Sequence, residues 1–169
     1  KRGRSARRDP TMDDGGLDMN AVDRARLVLH GAIVIVIGML CGLPTVVEQV
    51  NGAERHWHTA HEALIMMGIW LLATSSVLDV LTLERQERSA LIWSIVGMAY
   101  AFAVALVAGG AVNADAFEPG GTPLPWFVFA CATLGILGAF MAAGVTIKGA
   151  LAALRAARDR DAAASSAER

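Results

Sequence analysis

Four stretches of the chain are apolar for long enough to cross a bilayer, and the charges fall in short islands between them. A spanning helix needs about 20 apolar residues. The pattern predicts spans at about Leu27 to Val47, Thr59 to Leu83, Ala90 to Val112 and Pro125 to Ala150. The first is approached through "NAVDRAR", where Asn20 can cap a helix and Asp23 suits its first turn. Pro125 suits the first turn of the fourth. Core helices of water-soluble domains are rarely this long and this uniformly apolar. The predicted fold is therefore an all-α membrane protein, an antiparallel four-transmembrane-helix bundle with short connections.

The charges give the bundle a direction. Lys1, Arg2, Arg4, Arg7, Arg8, Arg24 and Arg26 precede the first span, Arg85 and Arg88 lie between the second and third, and Lys148, Arg155, Arg158 and Arg160 close the fourth. The other two connections share one arginine, Arg55, and the later is acidic. The positive-inside rule then predicts cytoplasmic termini. Trp57 and Trp126 are expected at the outer interface and Trp93 at the inner one. Gly38 and Gly42 form a GxxxG step, and Gly135, Gly138, Ala139 and Ala142 a similar stripe, where backbones can approach closely. The organisation reads as a disordered tail at 1–19, a transmembrane domain at 20–155 and a polar tail at 156–169. The first tail lacks the apolar core of a secretory signal, and Met12 is a candidate start.

Composition narrows the function classes. The chain has 169 residues, 54% of them hydrophobic and 18% charged, with a formal net charge of −1. No basic surface for nucleic acid is implied. Cys41 and Cys131 sit inside apolar runs without partners at zinc-ligand spacing, so each is read as packing. No internal repeat suggests an inverted-repeat transporter. Neither Glu62 nor Asp79 is as deep as the carboxylate of a small proton-coupled exporter.

The chemistry concentrates in "ERHWHTAHEALIMMG", residues 54–68, which holds His56, His58 and His61 with Glu54 and Glu62. His58, His61 and Glu62 are spaced to share a helix face. A carboxylate there can fix a ligating imidazole's tautomer. The spacing suits one axial ligand better than a three-imidazole cage, and leaves His58 and His61 as alternatives. Glu48 is expected within reach of them. His30, at the other end of the first span, is read as an interfacial side chain too distant to form a bis-histidine site within one subunit. Tyr100, mid-depth in the third span, needs a hydrogen-bond partner and is a candidate acid. Asp79 is expected to pair with Arg85 or Arg88. Thr74, Ser75 and Ser76 are expected to bond back to their own helix, and Met66 and Met67 to pack.

The histidine–glycine pair in "LHGAIVIVIG", the approach "HWHTAHEALIMMG" with its Met-Met pair, and the four-span size resemble the styrene oxide isomerase family over about Leu29 to Leu154. The resemblance implies a bacterial homotrimer binding haem b through a histidine at the start of span two. Counting back from Met66 and Met67, it places the iron ligand at His58. It implies that the iron acts as a Lewis acid on a small aromatic epoxide, giving an aldehyde, and that Tyr100 stands where a tyrosine helps hold the substrate. Where the family places an amide two turns beyond the ligand, this chain has Leu64 and Ile65. Two other functions stay open: a haem protein for electron transfer or redox and gas sensing, and a non-catalytic integral membrane protein. The expected partners are membrane lipid and a small hydrophobic substrate.

Overall fold

The computed structural model describes residues 19–46, 54–113 and 122–167, and the described residues form four helices and no strand. They are α1 (Met19–Val46), α2 (Glu54–Val77), α3 (Arg85–Val112) and α4 (Pro123–Ala167). Each is long and apolar enough to span a membrane. Helices are the expected solution there, because every backbone donor and acceptor is satisfied within the segment.

The boundaries differ from the sequence reading in an instructive way. Polar residues at the span margins are helical, not loop. α1 begins at Met19, so His30 lies well inside the helix rather than at its start. α2 begins at Glu54, so His56 and His58 are both helical, and it ends at Val77 rather than Leu83. A turn follows, with the Val80 N–H donating to the Val77 carbonyl at 2.9 Å. "ERQER" opens α3: the Glu84 N–H donates to the Glu87 carboxylate at 3.2 Å, a reciprocal capping arrangement. α3 ends at Asn113, in the left-handed region at φ 52°, with its N–H on the Gly109 carbonyl. The polar C-terminal stretch continues α4 to Ala167, as its alanine-rich composition favours.

Packing follows chain order. α1 lies on α2, α2 on α3 and α3 on α4, with a smaller α1–α3 contact; among the described residues α4 meets neither α1 nor α2. On α1 the buried positions are Leu27, Gly31, Val34, Gly38 and Cys41, alternating four and three residues apart. That spacing is the seam of a left-handed helix pair. The two backbones nearly touch: a Cβ at Gly68 would fall 2.4 Å from Ile35 Cγ1 and 2.8 Å from the Gly31 carbonyl oxygen. In lipid, where apolar burial gives little net drive, such close approach is what holds helices together. α3 is the most enclosed element, with Leu91, Ile92, Ile95, Val96, Met98 and Ala99 buried. The α4 stripe works similarly, Gly135 seating Phe102 and Gly138 lying over Met98.

Charged side chains gather at the end where α1 and α3 begin. Arg88 donates through Nε to Asp23 at 3.0 Å and lies 3.7 Å from Asp79. Asp79 also accepts from Arg24 at 2.9 Å, and Arg26 stands 3.6 Å from Asp23. Lys148 of α4 pairs with Glu87 of α3. Asp79 thus pairs with Arg88, as expected, and with Arg24, which sequence spacing did not suggest.

Candidate functional site

At the opposite end, where α2 begins, the structure separates the side chains that helical spacing had grouped. His58 and Glu62 stay together on an open face: His58 Nδ1 lies 3.5 Å from a Glu62 carboxylate oxygen, and the side chains are 63% and 68% exposed. They line a shallow depression with Glu54, Arg55 and Thr59, all from one helix. His61 turns instead into the α1–α2 seam. Its Nδ1 is 2.9 Å from the Gly38 carbonyl oxygen, and the contact is partly buried. Only an N–H can complete that bond, so Nδ1 carries the proton and donates. In the neutral imidazole Nε2 then keeps its lone pair.

The GxxxG step is what admits the ring. A Cβ at Gly42 would lie 2.8 Å from His61 Nδ1 and 3.1 Å from Cε1. No larger residue fits there without moving the imidazole. Gly38 supplies the carbonyl and Gly42 the space, one helical turn apart, so α1 forms a socket for one edge of the ring. The sequence showed the GxxxG step and the histidine cluster as separate features. The link between them is the α1–α2 register, which neither segment reveals alone.

Trp57 was expected at the membrane interface. It packs on α3 near the start of α2, where a Cβ at Gly110 would sit 3.1 Å from the indole. Trp126 and Trp93 are exposed, at 56% and 58%. Among the described residues no three His, Cys, Asp or Glu side chains converge to hold a metal ion, so His56, His58 and His61 make no cage. Glu48 lies outside the described residues.

The remaining candidates meet elsewhere. Tyr100 OH lies 3.0 Å from His30 Nδ1, and the rings stand edge to face with centroids 5.6 Å apart. His30 is therefore not an interfacial side chain but half of a partly buried pair between α1 and α3. Asp23 with Arg88 and His30 with Tyr100 come in the same order along α1 and α3, so the two helices run parallel. The pair is distant from His61. Twelve residues separate His30 from Gly42, about 18 Å along the helix. The separation expected between His30 and the other histidines thus remains, though it is shorter than a bilayer thickness. Thr74, Ser75 and Ser76 bond back to carbonyls of α2, as expected. Met67 packs against the core while Met66 is exposed, and Cys41 is buried.

A socketed imidazole with one protonated nitrogen and one free lone pair can hold a metal centre through a single bond. Comparison with known proteins gives a family model described as styrene oxide isomerase, which matches residues 23–151. No curated protein and no solved structure matches the chain.

Proposed function

The chain belongs to the styrene oxide isomerase family, and from that premise we propose that it is a membrane isomerase using haem b to turn a small aromatic epoxide into an aldehyde. The observation that carries the reading is the His61 socket. A ligating histidine commonly donates its other ring N–H to a carbonyl or carboxylate, which fixes the tautomer and the ring plane. His61 has that arrangement through Gly38. His58, favoured by the spacing from Met66 and Met67, has a longer contact to Glu62 and a mostly exposed ring. We therefore assign the iron bond to His61 Nε2, with His58 and Glu62 at the rim.

When bound, the haem supplies a Lewis acid for the epoxide oxygen. The protein's own residues do the rest. His61 presents one neutral nitrogen and is held from turning by Gly38 and Gly42. Apolar side chains beside the socket, such as Ile65 against Gly38, would exclude water that otherwise opens the epoxide to a diol. The net reaction only rearranges the substrate's atoms, so no second substrate is required. The His30–Tyr100 pair, eight residues or about 12 Å along α1 from Gly38, is too far from the socket to touch an oxygen held there, and it ties α1 to α3. The family's amide is missing in either register: Leu64 and Ile65 lie two turns beyond His58, and Met67 and Gly68 two turns beyond His61. The substrate is then held by apolar contact.

α1 and α4 leave apolar faces uncovered, including Met39, Leu40 and Leu43 on α1 and Leu134, Leu137 and Phe140 on α4. Lipid and neighbouring subunits of a homotrimer cover these faces, in a bacterial inner membrane with the arginine-rich end inside. His30 lies about 12 to 18 Å along α1 from the two glycines of the His61 socket, out of reach as a second ligand. That favours an open iron position over an electron-transfer centre with two strong ligands. The test is direct: purified protein from haem-supplemented cells is given styrene oxide with no other reagent. Phenylacetaldehyde, formed in proportion to bound haem, is the expected result. A haem-loaded protein that forms no aldehyde would overturn the isomerase reading, and one that takes up no haem would overturn all of it.

A further inference from the structure

The arginine end holds a second pocket that the isomerase reading does not use. It has a volume of about 480 Å³ and lies between the starts of α1 and α3. Asp23, Arg26, Arg85, Arg88, Ile92 and Trp93 account for its character. We propose that it binds the phosphate headgroup of an anionic membrane lipid.

The charge balance points there. Three guanidinium groups face one carboxylate across the pocket lining. Arg88, 16% exposed, is already committed: it holds Asp23 through Nε and lies against Asp79. Its role is to neutralise the acid that would otherwise repel an anion. The other two are available. Arg26 stands 3.6 Å from Asp23, outside hydrogen-bonding distance, and is 53% exposed. Arg85 is exposed and has no ion-pair partner among the described residues. A phosphate between them gains two charge-assisted contacts in the forked geometry that arginine offers.

The surroundings select a lipid over a free anion. Ile92 and Trp93 form the apolar wall, and Trp93 is an exposed ring at a span margin, where an indole sits at headgroup depth. A headgroup placed on Arg26 and Arg85 has its glycerol beside Trp93 and its chains along the uncovered apolar side of α1. Free phosphate would use the arginines and leave that wall idle. Basic pockets between spanning helices are known to take anionic headgroups for these reasons. Glu84 and Glu87 do not compete, being engaged in the α3 cap and with Lys148.

Native mass spectrometry of the detergent-purified full chain tests this with phosphatidylglycerol and phosphatidylcholine offered together. The wild-type protein is expected to retain phosphatidylglycerol and release phosphatidylcholine. Arg26→Gln with Arg85→Gln is expected to weaken retention about tenfold. Arg155→Gln with Arg158→Gln, on the distant part of α4, is expected to leave it unchanged. Millimolar inorganic phosphate is expected not to displace the lipid. Equal retention of the two lipids by the wild type overturns the proposal without reliance on any variant. Equal loss in both double variants overturns it in favour of diffuse attraction. Displacement by free phosphate overturns it in favour of a small-anion site.

Discussion

The two ends of the bundle are built from opposite materials. At the arginine end, long side chains reach across helices, and Arg88 alone ties α3 to Asp23 on α1 and to Asp79 after α2. At the histidine end, glycines bring backbones into contact and one imidazole fills the space they leave. The first end is nearly closed electrostatically, with each acid of the cluster meeting at least one cation. The second leaves a ring nitrogen with a lone pair and no assigned bond. A membrane helix pair can be fastened by either device. Only the second leaves a neutral ring nitrogen suited to a metal bond, which is why the catalytic reading attaches there.

Breaking each fastening should separate stability from cofactor binding. Arg88→Ala removes the link between three segments and strands Asp23, which is 21% exposed at its side chain. Losing one partner of a largely enclosed ion pair costs about 3 kcal/mol. We expect a clear fall in thermal unfolding temperature in detergent, with the haem spectrum of the surviving folded protein unchanged. A Soret band lost at temperatures where the helices remain intact would contradict that division. Gly42→Leu places a side chain where His61 Nδ1 already lies. Overpacking of this kind costs about 2 kcal/mol, and here the haem signal should fall more than the helix content measured by circular dichroism. Equal loss of the two would make the socket a mere packing contact.

The smallest effect is expected from Tyr100→Phe. It removes the hydroxyl bonded to His30 and leaves a partly buried ring nitrogen without that partner. The cost is about 1 kcal/mol. Haem content should not change, since the pair lies well along the helix from His61. Epoxide turnover per haem should hold, as expected for a pair that ties α1 to α3 away from the socket. A fall in turnover would place the Tyr100 hydroxyl on the substrate.

How much of this was legible in the sequence depends on the range of the interaction. The four spans were readable because each is decided by its own local apolarity. Their ends were not, since Arg88 and Asp79 are tied to Asp23 and Arg24, partners more than 50 residues away. The histidine cluster announced itself by residue type. Helical spacing alone grouped His61 with His58 and Glu62, but helix angle does not say which direction faces a neighbour. Gly38 and Gly42 decide that, from another segment. His30 was placed at a boundary because the apolar span was begun at Leu27, although Asn20 and Asp23 had marked the helix start; eleven residues of α1 precede it, and it meets Tyr100.

The central claim is that His61, socketed on α1, is the iron ligand. The most direct measurement replaces it with glycine and asks whether a free imidazole can take its place. His61→Gly, purified from haem-supplemented cells, should lack the Soret band and recover it when imidazole is added, while His58→Gly keeps its band throughout. A His61→Gly protein that retains the band, with His58→Gly losing it, would contradict the account.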